Sequence, residues 1–309
     1  MKGRLYIDGV DAFDRYGVFV AAGGYNGIAS WAPLKKVECV DWPDEDGVEP
    51  DLTEPRLDGR EFDVSFCTVD GDKTGDLIEA LSAGAYHVFD FRRIGCERRL
   101  RLVAHSASER VRRLEKFALR FADDFPLEGY AYADPVPVPA VWQRGYELDA
   151  RPLSDHGIWV LDGSETELLK APAVKKNLSV GGKGQSGTIY DDRQVFFQAK
   201  DVALKCLLTA PDKTVFWHNY QALLHDLVRP GERRLFVELT GGEYSCYYKS
   251  GQVSRCEVTA RGGMWCEFTL TLTFTAFRPE ATQYLLASER GEWIITEDVQ
   301  HAIDLKYGY

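Results

Sequence analysis

Gly181-Gly-Lys-Gly-Gln-Ser-Gly187 holds the residue types of a phosphate-binding loop, in which backbone N–H groups and a lysine cradle the anion. The order is wrong for it: the Walker pattern sets Ser or Thr directly after Gly-Lys, and here Gly184 intervenes. Ser186 also lacks the Gly-x-Ser-x-Gly frame of a nucleophile elbow. His218 and His225 can share a helix face, but no third ligand joins them at metal spacing. Cys246, Cys256 and Cys266 recur every ten residues, the arithmetic of antiparallel strands and turns rather than of a zinc site. Asp44-Glu45-Asp46 lies in a Pro-interrupted run without the alternating ligands of a calcium loop, so a solvated acidic loop is expected. Arg92, Arg93, Arg98, Arg99, Arg101, Arg110, Arg112 and Arg113 form the one basic cluster. Strand alternation puts several on one face, suited to an acidic protein neighbour. No catalytic pair, cofactor site or metal site emerges from these residues, and no enzyme is expected.

The 309 residues carry a net charge of −11, with 45% apolar and 28% charged residues. That is the profile of a folded chain with room for about two cores. An acidic balance disfavours gripping the phosphate backbone of nucleic acid. No run of about twenty apolar residues and no charged-then-apolar leader is found, so synthesis and folding in a cytoplasm, without a membrane anchor, are expected. Seven cysteines without a Cys-x-x-Cys pair point to free, mostly buried thiols.

The elements that would position any site are mostly strands. In Met264 to Thr275 the apolar residues Met264, Cys266, Phe268, Leu270, Leu272 and Phe274 take every even position, which is the period of a half-buried strand. Leu114 to Phe121 echoes it, with Phe117, Leu119 and Phe121 answering Phe268, Leu270 and Leu272 at a spacing of 151. Other echoes fall at 140: Gly17 with Gly157, Lys35-Lys36 with Lys175-Lys176, and Asp72-Lys73-Thr74 with Asp212-Lys213-Thr214. Fixed spacings of this kind mark an internal repeat. Each copy reads as two strands, a long loop (Asp41 to Gly59; Gly181 to Gly187), a strand, a helix and closing strands. The helices are Thr74 to about Ala83, and a longer one capped by Thr214 with Phe216, Tyr220, Leu223, Leu224 and Leu227 on one side. The expected fold is α+β, mainly β: two duplicated antiparallel β-barrel or sandwich domains, each with one helix. Boundaries are set at 1–126 and 145–279, with a Pro-rich linker at 127–144 and a C-terminal arm at 280–309.

This succession, with Tyr244-Ser-Cys-Tyr-Tyr-Lys-Ser-Gly-Gln-Val-Ser-Arg255 leading into a Trp-x-x-Phe-x-Leu-x-Leu strand, resembles the tube-forming domains of phage distal tail and baseplate hub proteins over about 250 residues. The resemblance implies a structural virion protein, made in a host bacterial cytoplasm, whose domains stand side by side in a ring at the end of the tail tube. By position it makes Asp44, Glu45, Asp46, Gly182, Lys183 and Gly184 ring-stacking loops, and Thr269, Thr271 and Thr273 channel-facing. Arg92, Arg93, Arg99, Arg112 and Arg113 are the candidate subunit interface. Implied partners are further copies (a hexamer, or a trimer supplying six barrels), tail-tube, tape-measure and other baseplate proteins, with DNA only in passage. Many distal tail proteins follow one tube domain with a different module, whereas this chain repeats the unit. Two alternatives are a tube or hub component of a contractile injection system and a carbohydrate-binding β-sandwich, the latter prompted by aromatic residues such as Trp31, Trp42, Trp142, Trp159 and Trp293.

Overall fold

The structure, a computed structural model, describes residues 2–69, 73–105, 109–111, 114–176, 179–184, 186–190 and 195–277. Arg112, Arg113, Asp72, Trp293 and the expected arm at 280–309 lie outside the described residues, as does the side chain of Arg110. Met1–Phe277 is one compact unit.

The fold is α+β, mainly β, with antiparallel sheets. In the first half the elements run β1 (Tyr6–Ile7), β2 (Val10–Asp11), α1 (Ala12–Tyr16), β3 (Val18–Val20), α2 (Asn26–Ala29), β4 (Cys39–Val40), β5 (Glu49–Pro50), β6 (Arg60–Thr68), α3 (Thr74–Ser82), β7 (His87–Phe91), β8 (Cys96–His105), β9 (Glu109–Val111) and β10 (Leu114–Asp123). The second half runs β11 (Tyr146–Leu148), β12 (Arg151–Pro152), a 3-10 turn (Leu153–His156), β13 (Ile158–Val160), α4 (Ser164–Leu169), β14 (Ser179–Val180), β15 (Ile189–Tyr190), β16 (Lys200–Ala210), α5 (Lys213–Leu227), β17 (Arg233–Val237), β18 (Gly242–Val258) and β19 (Met264–Phe274).

The first sheet is ordered β2-β1-β7-β8-β10-β6-β3, with β9 also on β10; the second is β12-β11-β17-β18-β19-β16-β13. Strand for strand these are the same order. Registers agree too: Leu119 faces Val64 and His105, and Leu270 faces Leu204 and Gly251. Each middle pair carries a bulge at the same place, where Val103 and Lys249 are skipped between Leu102 and Ala104 and between Tyr248 and Ser250. Up to β6 and β16 the halves correspond at a spacing of 140, and along β8 and β18 at 146.

Alternation puts Val64, Phe66, Phe117, Leu119 and Phe121 inside the first sheet, fully or almost fully buried, against Leu77 and Leu81 of α3. Val202, Leu204, Cys206, Phe268, Leu270 and Leu272 do the same beneath α5. Burial of this kind supplies most of the folding free energy. The cap of α5 differs from the sequence reading: Asp212 rather than Thr214 is the N-cap, its carboxylate accepting from the Val215 N–H at 2.9 Å, because Asp212 holds the extended backbone that aims a side chain at the third helical N–H. Thr74 lies inside α3 and donates its hydroxyl to Glu115 at 2.8 Å. The short helices α1, α2 and α4 add to the single helix per half that the sequence pattern shows.

Candidate functional site

The long loops prove to be hairpins, β4–β5 and β14–β15. The first is docked on the second half of its own chain. Lys175, buried at 2% exposure, reaches into it and donates to Asp41 at 2.5 Å and to the carbonyls of Trp42 and Gly47 at 2.8 and 2.7 Å. Asp46 accepts from the Phe197 N–H at 2.8 Å, and Gly47 N–H donates to the Phe197 carbonyl at 2.7 Å. Gly47 has φ +75°, and a Cβ there would lie 1.6 Å from the Thr275 carbonyl oxygen, so only glycine fits this contact.

Beside it runs an apolar seam. Trp31, on the connection after α2, lies against β18, its backbone N–H donating to the Gly251 carbonyl at 2.8 Å. A Cβ on Gly251 would stand 2.2 Å from the indole ring. The ring stacks on Tyr220 of α5 at 4.8 Å and meets Phe268 edge-on at 4.3 Å. Leu34 N–H donates to the Lys249 carbonyl, and Tyr248 donates its hydroxyl to the Ala32 carbonyl at 2.8 Å. Burial pushes the Tyr220 and Tyr248 phenols well up, so both stay neutral donors. Farther along, the turn after β7 packs on the start of α5: Trp217 donates to the Ile94 carbonyl at 2.7 Å and Lys213 to that of Arg92 at 2.9 Å. The span 127–144, read as a linker, is tied to the same helix through Asn219, which bonds the Val136 N–H and carbonyl, each at 2.8 Å.

The residues singled out in the sequence fall in four places. Asp44 and Glu45 are exposed at the tip of the first hairpin, while Asp46 turns in to Phe197. Gly182, Lys183 and Gly184 are exposed at the tip of the second. Thr269, Thr271 and Thr273 share the face of β19 away from its core; the first two are half-buried and Thr273 donates to Asp201 at 2.7 Å. The arginines are spread out: Arg92 pairs with Asp90 at 2.8 Å and lies over Tyr6, Arg99 pairs with Glu128 at 2.7 Å and lies over Phe125, and the backbone of Arg93 bonds Arg4. Among the described residues no group of three or more His, Cys, Asp or Glu is placed to hold a metal, and no helix is long and apolar enough to cross a membrane. Five of the seven cysteines are buried, and burial pushes the Cys246 and Cys256 thiols to about 12.

Sequence reasoning missed Lys175, Trp31, Gly251 and Tyr220 as a set. Their one signal was the Lys35-Lys36 and Lys175-Lys176 echo, which marks corresponding positions without saying that only one of them is buried.

No family model matches the sequence, and no curated protein matches it. Among solved structures the chain is similar to the SPP1 Dit (gp 19.1) protein, described as a paradigm of hub adsorption apparatus in phages that infect Gram-positive bacteria. The identity is 10% and the TM-score 0.29, over 88% of this chain and 98% of that one.

Proposed function

We propose that this chain is a structural component of a phage or prophage tail, a distal tail or baseplate protein standing in a ring at the end of the tail tube. The observation that carries this reading is the pair of sheets with one strand order, joined through surfaces that differ on the two sides. A junction of that kind is heterologous, and heterologous contacts close into rings when the rotation allows. The strand order, bulge and registers shared by the halves support descent from one duplicated unit, divided near 1–126 and 145–279.

On this reading the face bearing Thr269, Thr271 and Thr273 lines the channel. Two ion pairs on it close within the chain, Asp201 with Lys249 at 2.5 Å and, on the first sheet, Asp63 with Arg120 at 3.0 Å. With the net charge of −11 this suits DNA passing without sticking. Asp44, Glu45 and Lys183, at the hairpin tips, are free to meet tail-tube or baseplate neighbours. Three copies would supply six sheets, six copies twelve.

Electron microscopy and mass photometry of the purified chain, alone and with tail-tube subunits, test the reading. Rings of about sixfold appearance are expected; monomers alone at every concentration would refute it. A carbohydrate-binding reading keeps one observation, Trp142, 73% exposed and edge-on to Trp159 at 5.2 Å, and a glycan array checks it.

A further inference from the structure

Several contacts by which the first half docks on the second have exposed counterparts on the outer sides of the two halves. Lys35 corresponds to Lys175 at the 140 spacing and has the same backbone setting: its N–H donates to the Arg56 carbonyl at 2.8 Å, as that of Lys175 donates to the Phe196 carbonyl at 2.8 Å. Leu34 bridges Leu57 as Val174 bridges Phe197. Yet the Lys35 side chain is exposed where Lys175 is buried. On β8, Val103 and His105 correspond to Lys249 and Gly251 and are exposed.

The other side of the junction is duplicated as well. The β14–β15 hairpin corresponds to β4–β5, and its Val180 and Ile189 are 70% and 64% exposed. Ala171 and Val174 stand where Trp31 and Leu34 stand, and both are exposed. The turn holding Leu239, 63% exposed, corresponds to the turn of Arg93 that packs on α5; Gly95 and Gly241 mark it with φ +67° and +60°.

We propose that a second copy of this chain docks head to tail on these surfaces, its β14–β15 hairpin and Ala171–Val174 segment seating on the Lys35 socket and the Val103–His105 end of β8. This rests on the ring reading and names the surfaces it uses. The occupant is a second copy because the chain already displays the same fit within itself. Side-chain sizes are exchanged in a compatible way. Inside the chain a large Trp31 covers a bare Gly251; between copies a small Ala171 meets a larger His105. Lys35 meets the carbonyls of Gly182 and Gly187, in the places of Trp42 and Gly47, and the Ser186 hydroxyl replaces the Asp46 carboxylate toward the Leu57 N–H. Gly181 stands in place of Asp41, so the ion pair that locks the internal junction is missing between copies. The contact between copies is therefore weaker than the internal one and forms reversibly.

Residues bridged across antiparallel strands have Cα atoms about 4.5–5.5 Å apart, within disulfide range. The full-length double variant His105→Cys with Ala171→Cys, mildly oxidised, is expected to give a ladder of covalent multimers. A mixture of the two single variants should stop at dimers, and neither alone should cross-link beyond the background of exposed Cys39 in the unmodified chain. Lys35→Glu should weaken self-association about tenfold, and Lys36→Glu on the same exposed stretch should leave it unchanged. Thermal melts establish that each variant folds. Single variants that cross-link to themselves, or equal effects from Lys35 and Lys36, would overturn the docking mode. Rings in micrographs together with an unlinked double variant would overturn it while leaving the ring reading intact; monomers alone would remove both.

Discussion

Lys175 and Lys35 have the same chain position in two halves of one strand order, yet one is buried in a hairpin and the other points into solvent. The difference arises from what lies next to each. The first half is followed by a second that receives its hairpin, its Trp31 connection and its Arg92–Gly95 turn, whereas the second half has no such neighbour within the described residues. Equal local sequence logic thus yields a filled junction on one side and an open one on the other. The comparison teaches that burial of a polar group belongs to the assembly around it, since a buried ammonium persists only where carboxylate and carbonyl groups replace its water.

The comparison predicts unequal costs at the filled and the open junction, measured by urea unfolding at dilution. Trp31→Ala removes an almost fully buried indole from Tyr220 and Phe268 and is expected to cost about 3–5 kcal/mol, against about 0.5 kcal/mol or less for His105→Ala at the open end. Lys175→Ala leaves two carbonyls of the hairpin without their donor and is expected to cost about 2–3 kcal/mol, while Lys35→Ala stays within about 0.5 kcal/mol. Equal losses in either pair would break the distinction between filled and open junctions.

Two smaller effects sharpen it through pH. The second half has a buried pair of its own, His156 with Asp226 at 3.1 Å. Burial by itself would raise Asp226, but the His156 hydrogen bond and nearby charges outweigh it and hold the carboxyl below its ordinary 3.8. Its stabilisation is therefore present above about pH 4 and lost as pH falls through the lower folded value; Asp226→Asn should cost about 1–3 kcal/mol near neutrality and flatten the acid limb. Lys200, over the Phe277 ring at 3.4 Å, is lowered by burial from 10.5 to about 8. The folded chain then sheds this proton before the unfolded one, so stability rises between about pH 8 and 10.5. In Lys200→Met that rise should shrink by about 1 kcal/mol or less, because the group is only partly buried and is screened by solvent.

Much of the β framework was legible because alternation is a local signal. Met264 to Phe274 alternates without interruption and forms β19, and the Leu114 to Phe121 echo forms β10. The break comes where alternation fails. In β18, one continuous strand, bulges at Lys249 and Ser254 shift the inward face and interrupt the period. The hairpins β4–β5 and β14–β15 escape notice because two-residue strands carry no period. The arginines read as one cluster by proximity in sequence, yet their partners Asp90, Glu128 and Asp124 are scattered. Thr214 looked like a cap from residue type, but backbone geometry gave that role to Asp212.

By itself the sequence determined the long alternating strands and their inward faces, the long helix and the 140-residue echo, since each depends on neighbours two to four residues away or on plain repetition. Only the tertiary structure decided which of two like lysines is enclosed, that Gly251 leaves room for Trp31, and that the first hairpin seats on the second half. Those outcomes depend on groups more than a hundred residues apart in the chain, whose pairing no local pattern encodes.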